Sequence, residues 1–255
     1  MVDLHSHILP EIDDGAASME MAIEMAREAV SDGTSMIAAT PHHNNSRYSN
    51  DKTAILEQVK RLNMVLAEHH IPLRVVGGQE LRVNDQLWHE MESGNVLTLN
   101  ESRYLLIELP SSTVPGGCEE LIHELIVANY VPVIAHPERN AAIASNPELL
   151  DVFVKQGALA QITAGSLTGE FGSKLRKLSL QLYRGGLAHI LASDAHDNDR
   201  RKFGLSSAYQ VIRRELGEEF ESYLRGNAEA MVEDQPIFVR EIAHKANRKI
   251  RFWRK

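Results

Sequence analysis

The sequence predicts an α/β fold built on parallel strands, and three observations carry that reading. Seven short apolar runs recur over roughly the first 190 residues. Amphipathic segments with helical spacing lie between most of them. Histidine, aspartate or glutamate stands where nearly every run ends. Strand alternating with helix implies parallel pairing. An open doubly wound sheet and a closed barrel both satisfy the alternation. The third observation favours the barrel, because α/β barrels gather their C-terminal strand ends on one functional face.

The apolar runs are Val2–Leu4, Met36–Ala39, Leu73–Val76, Tyr104–Ile107, Val131–Ala135, Leu159–Ile162 and Leu187–Ala192. After the first run, Met19–Val30 places Met19, Ala22, Ile23, Ala26, Ala29 and Val30 on one helical face. Ser18 is suited to cap its start, and Gly33 follows its end. Segments 51–70, 115–129, 147–156 and 173–183 read as helices in the same way. Asn146-Pro147 has the form of a cap followed by proline at the first helical position. No Gly/Ser/Pro-rich linker, low-complexity tract or strong repeat interrupts the pattern. A barrel over residues 1–239 followed by a basic tail, 240–255, is therefore the expected organisation.

Composition bounds the function. The 255-residue chain is 43% hydrophobic and 24% charged, which excludes wholesale disorder. Its formal net charge of −8 argues against a nucleic-acid partner, which usually demands a basic face. The last 16 residues depart from this balance, with seven Lys/Arg against one Glu. A solvated helix end explains them; Phe252 and Trp253 add the prospect of contact with an anionic surface. The single cysteine, Cys118, excludes an internal disulfide and a cysteine zinc site. The stretch MVDLHSHILPEIDDG lacks a basic segment followed by an apolar core, and no run of about 18 apolar residues occurs. Neither a secretory signal nor a membrane span is expected, and a reducing cytoplasm fits the lone cysteine.

Histidine is over-supplied, with 12 copies, and it falls where chemistry is expected. The first strand runs into His5-Ser6-His7, with Asp13 and Asp14 in the next loop. Later strands end in Thr40-Pro41-His42-His43, Gly77-Gly78-Gln79-Glu80, Glu108, His136-Pro137-Glu138-Arg139 and Ser193-Asp194-Ala195-His196. Residues two apart in extended chain face the same side, so His5 pairs with His7 and Asp194 with His196. Adjacent His42 and His43 face opposite sides, so one of them is the ligand. Mixed imidazole and carboxylate donors without thiolate suit manganese, iron or zinc. Several carboxylates suggest more than one ion, since a carboxylate can bridge two cations. Clustered metals activate water and clamp phosphoryl oxygens, which makes phosphoester hydrolysis the natural reaction class. Arg139 is placed to stabilise phosphoryl charge.

The motifs HSHILP, IDDG, ATPHH, GQELR, YLLIELP, AHPER and ASDAH occur in that order. This set resembles the polymerase-and-histidinol-phosphatase (PHP) superfamily, and within it the manganese-dependent bacterial tyrosine-protein phosphatases of capsule and exopolysaccharide operons, the CpsB/YwqE type. The resemblance spans roughly residues 1–235 and leaves out the tail. It implies a distorted (β/α)7 TIM-like barrel with a trinuclear centre, usually of Mn²⁺, with Fe, Zn, Co or Mg as other divalent ions. Carried over by motif, the metal ligands are His5, His7, Asp14, His42 rather than His43, Glu80 as the bridging carboxylate, Glu108, His136, Asp194 and His196. Arg139 matches the catalytic arginine, and Arg201 stands where a second phosphate-contacting arginine is expected. The implied reaction is in-line attack of an activated water on a phosphotyrosine phosphorus. The implied partner is a membrane-associated tyrosine autokinase.

Two positions depart from the pattern. Glu11 stands where glycine often precedes IDDG, and 197–205 lacks the prolines often seen there. Two other functions share the same chemistry: a small-molecule phosphatase acting on histidinol phosphate, and a phosphodiesterase. A non-catalytic, metal-stabilised module is a third possibility of another class. The cysteine phosphatase route requires arginine six positions after the cysteine, and Glu124 occupies that place after Cys118.

Overall fold

Each of the seven apolar runs becomes a strand in the computed structural model of the chain, which describes residues 1–239. The order is β1 (Val2–Ser6), α1 (Met19–Ser31), β2 (Met36–Ala39), β3 (His42–His43), α2 (Lys52–Glu68), β4 (Arg74–Gly77), β5 (Glu80–Arg82), α3 (Leu87–Ser93), β6 (Tyr104–Glu108), α4 (Cys118–Val127), β7 (Val131–Ala135), α5 (Ala141–Ser145), α6 (Glu148–Gln156), β8 (Leu159–Thr163), α7 (Ala164–Thr168), α8 (Ser173–Arg184), β9 (Ile190–Ala192), α9 (Leu205–Leu216) and α10 (Glu218–Val232). The basic tail lies outside the described residues. Among those described, no helix is long and apolar enough to cross a membrane.

The helices start and stop largely for the expected reasons. Ser18 Oγ accepts from Met21 N (3.2 Å) at the head of α1. Asp51 Oδ1 accepts from Ala54 N (2.9 Å) at the head of α2. The expected Asn146 cap is a correction. Helix α6 begins at Glu148, with Pro147 in the cap position and no side-chain cap. The Asn146 and Pro147 carbonyls accept from Leu149 N and Leu150 N instead, so backbone closes the first turn. Helix α4 starts three residues late because Gly117, at φ +80°, turns the chain before it. Strand β9 likewise starts late, because Leu187 N still bonds to Leu182 O at the end of α8.

All strand pairs are parallel. They form two hydrogen-bonded sheets, β1-β2-β4 and β3-β5-β6-β7-β8-β9. Strand β3 resumes β2 after Thr40-Pro41, and β5 resumes β4 after Gly78-Gln79, so the nine segments act as seven strands in sequential order. The ends meet where Ser6 bridges Ala195, with His7 N donating to Ala195 O (2.8 Å) and Asp194 N to His5 O (2.8 Å). The ladder is interrupted where β2 and β4 break, which makes this a distorted barrel. Sequence periodicity missed β3 and β5 because two or three residues carry no period.

Packing follows the two faces of the strands. On β6, Tyr104, Leu106 and Glu108 share one side. The first two join Leu4, Ala38, Val76, Val133, Ile190 and Ala192 in one buried cluster, which Ala228 and Met231 of α10 also enter. Two further clusters lie between strands and helices: one under α1 and α2, the other under α4, α6, α8 and α9. Glu108 continues its side of β6 beyond the apolar cluster and into the polar end.

His189, just before β9, is buried. Its Nδ1 accepts from Ala160 N (3.2 Å), and burial pushes its pKa down to about 4. A depressed pKa means the unfolded chain binds the proton first, so stability is lost as pH falls from 6.5 towards 4. Between pH 7 and 5 this one group should cost about 2 kcal/mol. His189→Asn keeps an acceptor for Ala160 and should shrink that loss. Urea unfolding of both proteins with chelator at the two pH values checks it; equal losses would show that His189 does not titrate in this window.

Candidate metal centre

The polar ends of the strands converge on one buried group of side chains. His5 and His7 leave β1 on the same side, their Nε2 atoms 3.2 Å apart. Asp194 Oδ1 lies 3.4 Å from His5 Nε2 and 3.5 Å from His7 Nε2. Glu80 Oε2 lies 3.6 and 3.5 Å from the same two nitrogens. Tetrahedral ligands at about 2.0–2.2 Å from a metal stand about 3.3–3.6 Å apart. The four contacts that Asp194 and Glu80 make with the two imidazoles meet that spacing.

Two further groups adjoin the first. Glu80 Oε1 lies 2.8 Å from His136 Nε2, which is 4.0 Å from Glu108 Oε1. Asp14 Oδ1 lies 3.3 Å from His42 Nε2 and 3.5 Å from His196 Nε2. His42 Nδ1 in turn stands 2.8 Å from Glu80 Oε2. The two oxygens of Glu80 thus face different neighbours. His43 points away, towards Glu90. All nine side chains expected as ligands are brought together.

Four of these donor atoms face their neighbours without bonding. His42 Nδ1, Glu80 Oε2, Asp194 Oδ1 and His196 Nε2 are buried and make no aligned hydrogen bond. A buried polar atom without a partner is costly, so four of them gathered in one place, on imidazoles and carboxylates, call for a cation. The other ring nitrogens are held: His5 Nδ1 by Gln161 Oε1 (2.9 Å), His7 Nδ1 by Asp13 Oδ2 (2.6 Å) and His196 Nδ1 by Asp194 O (3.0 Å). That fixes Nε2 as the free lone pair. The residues fit a cluster of divalent ions.

Local backbone serves the same end. A Cβ on Gly15 would lie 2.0 Å from His7 O, so the IDDG loop reaches β1 only with glycine there. His136 (φ +32°) and Asp194 (φ +56°) take left-handed conformations, a strain that surrounding contacts must hold. Glu11 does too, at φ +64°, which explains why glycine suits that position.

Electrostatics separate the groups. Burial opposes charge on His5 and His42, but Glu80 and Asp194 raise the first, and Asp14 and Glu80 raise the second to about 9. Burial and then Arg139 push His136 down to about 4, leaving a neutral imidazole ready to donate its lone pair. Burial and then Glu80 raise Glu108 to about 7. Hydrogen bonds from His196 and His42 hold Asp14 well below the usual carboxylate range. A cation displaces the imidazole protons, so metal uptake releases protons.

Both expected arginines reach the centre. Arg139 Nη1 bonds Asp194 Oδ2, and Arg201 Nη2 lies 2.8 Å from the same oxygen. Arg200 is exposed. Asp197 Oδ1 accepts from the amides of Asp199, Arg200 and Arg201, knotting the loop that presents Arg201. Glu138 is fully buried and accepts from Thr163 N (3.0 Å) and Ser166 Oγ (2.7 Å), pinning the turn that carries Arg139. Cys118 is buried in α4, its thiol pushed up to about 11 by burial, which disqualifies it as a nucleophile.

Four residues around the site escaped sequence reading: Asp3, Asp13 as the partner of His7, Arg82 and Gln161. Asp3 accepts from Ser193 N (3.0 Å) and Ser193 Oγ (2.5 Å), tying β9 to β1 beside two ligands. Arg82 Nη2 stands 2.7 Å from Glu108 Oε2. Spacing held a signal for two of them, since Asp3 is two residues before His5 and Arg82 two after Glu80.

Strand ends that deliver imidazoles and carboxylates to one buried point, flanked by two guanidinia, have the architecture of a metal-dependent hydrolase. Residues 1–233 match the sequence profile described as "Capsular polysaccharide synthesis, CpsB/CapC", and the chain belongs to that family. It is 45% identical over 238 residues to tyrosine-protein phosphatase YwqE of Bacillus subtilis, covering 93% of this chain and 94% of that one. It is 43% identical over 226 residues to CapC of Staphylococcus aureus, covering 88% and 89%. A solved structure described as that of YwqE and CpsB, "unique metal-dependent tyrosine phosphatases", superposes with a TM-score of 0.92 at 44% identity, covering 94% of this chain and 97% of that one.

Proposed function

We propose that this chain is a metal-dependent protein-tyrosine phosphatase acting in capsular or exopolysaccharide synthesis. The observation that carries it is the set of four orphaned donor atoms on the side chains expected to bind metal. Membership of a family whose relatives are named tyrosine-protein phosphatases supplies the substrate class. His5, His7, Asp14, His42, Glu80, Glu108, His136, Asp194 and His196 would hold the metal, with Glu80 central among them. Three ions, of Mn²⁺, are the number and kind we propose; the donors of His7, Asp14, His42 and His196, of His5, His7 and Glu80, and of His42, Glu80 and Glu108 each lie within 4.8 Å of one another. Bound metal supplies Lewis acidity that activates water and offsets phosphoryl charge.

The chain's own residues do the rest. Arg139 and Arg201 bind the phosphoryl oxygens in a fork suited to phosphate. Asp13 and Gln161 keep the ligating imidazoles in one tautomer. The catalytic unit is residues 1–239, the site of action is the cytoplasm, and the substrate is a tyrosine autokinase at the membrane, towards which the basic tail, 240–255, is drawn by anionic lipid.

A substrate panel tests the reading. With Mn²⁺, a phosphotyrosine peptide should be hydrolysed at least tenfold faster than a phosphoserine peptide, histidinol phosphate or a phosphodiester, and chelator should abolish the activity. Strong preference for histidinol phosphate or for the diester would overturn it, and absence of any turnover would favour a binding module.

A further inference from the structure

Two cavities of unequal size flank the ligand cluster. The smaller, about 170 Å³, is lined by Glu108, His136, Arg139 and Asn140. It suits a phosphoryl group beside the arginine. The larger, about 490 Å³, opens beside Asp14 and His42 and is lined by Arg47, Tyr48, Arg82 and Pro110. Its volume lies in the range of sites that hold a whole side chain and its flanks, roughly 300–1,000 Å³. Glu108 and Leu109 line the smaller cavity and the next residue, Pro110, lines the larger, so the two are neighbours along this strip.

The larger cleft has a rim already set in place. Asn45 Oδ1 accepts from Arg47 N (2.9 Å) and Tyr48 N (2.7 Å), and Asn45 N donates to Tyr48 O (3.2 Å). Asn50 Nδ2 ties the same loop to Ile12 O (3.0 Å) and His42 O (2.9 Å). The Tyr48 ring lies nearly parallel to that of His42, at 10° and 6.1 Å between centroids. An aromatic wall is thereby fixed next to the ligand cluster. Of the two guanidinia in the cleft, Arg82 is committed to Glu108 Oε2 (2.7 Å) and Leu109 O (3.2 Å). Arg47 is exposed and has no ion-pair partner among the described residues.

We infer that this cleft is the docking groove for the peptide side of the substrate, with Tyr48 walling the phosphotyrosine ring and Arg47 pairing with an acidic residue beside it. The inference rests on the phosphotyrosine reading above and adds a sequence preference, for acidic flanks, that the metal centre alone does not impose. An exposed pair contributes modestly, so charge reversal should shift affinity by about three- to tenfold.

Binding is measured separately from turnover. Two fluorescent peptides carry a non-hydrolysable phosphonodifluoromethyl-phenylalanine, one flanked by glutamates and the other by alanines. Their affinities for the parent, Arg47→Glu and Arg47→Lys are read by anisotropy with Mn²⁺ present. The parent should bind the glutamate peptide about three- to tenfold more tightly. Arg47→Glu should erase or invert that ratio, and Arg47→Lys should keep most of it. Tyr48→Ala should weaken both peptides at unchanged metal content, with Tyr48→Phe restoring them. A ratio near one in the parent, or an equal ratio in parent and Arg47→Glu, overturns the groove. Arg47-dependent preference in a protein that fails to hydrolyse the matching peptides made with phosphotyrosine itself overturns the phosphatase reading instead.

Discussion

Replacing Glu80 with alanine is expected to lower phosphotyrosine hydrolysis by at least about a thousandfold and to reduce bound metal below the parent's stoichiometry. Glu80 is the one carboxylate that touches all three ligand groups: Oε2 faces His5, His7 and His42, and Oε1 faces His136. Burial alone would raise its pKa, yet His5, His136 and His42 hold it ionised. Its charge offsets the mutual repulsion of neighbouring cations. Losing several kcal/mol of transition-state charge stabilisation corresponds to about three orders of magnitude in rate. Glu80→Gln should behave almost as badly, because an amide keeps the shape but neither bridges as an anion nor leaves both oxygens as acceptors. Elemental analysis after gel filtration, together with kcat at saturating Mn²⁺, measures both effects. A variant that keeps full metal content and activity within tenfold of the parent would remove Glu80 from the centre.

How legible this site was in the sequence depends on whether a residue acts through its own strand or through a neighbouring one. His5 and His7, or Asp194 and His196, announce themselves by two-residue spacing at the end of an apolar run. Their convergence follows from parallel strands alone. Gln161 sits inside β8 as an unremarkable polar residue, and only the closure of β8 across from β1 brings it to His5 Nδ1. Asp13 and Asp14 are adjacent in one loop. Which of them faces a ring nitrogen as partner and which faces the ligand group is decided by the turn at Gly15, not by composition.

The fold shows the same division. The seven strands and their parallel order are written in the alternation of apolar runs and amphipathic segments. The breaks that divide β2 from β3 and β4 from β5 are not, because they span two residues each and depend on how the sheets meet. Those breaks have a functional consequence. They displace His42 and Glu80 from the strands that lead to them and pair them directly, His42 opposite Glu80, within the second sheet. The departure from a regular barrel is therefore what sets two expected ligands side by side.

Arg139 should rank next to Glu80 in its effect on rate while leaving metal binding intact. Its Nη1 rests on Asp194 Oδ2, its guanidinium stands 5.7 Å from the Phe171 ring, and it lines the smaller cavity with His136 and Asn140. A guanidinium has five N–H donors, so one contact to Asp194 leaves the others to meet phosphoryl oxygens. Removing one such donor group from a developing anion typically lowers kcat by about 10²–10³-fold. Arg139→Ala should show that loss with metal content unchanged. Arg139→Lys should recover no more than about tenfold, because a point charge cannot reproduce the planar fork. Arg201→Ala provides the comparison, since it shares the oxygen of Asp194 but approaches from the other loop. If Arg139 instead serves to neutralise Asp194, Arg139→Ala will lose metal and rate together, and Glu138→Gln, which loosens the turn beneath it, will mimic that pattern. Steady-state kinetics of the three arginine variants, each paired with elemental analysis, separates the two roles. A fall in kcat at constant metal stoichiometry assigns Arg139 to the phosphoryl group.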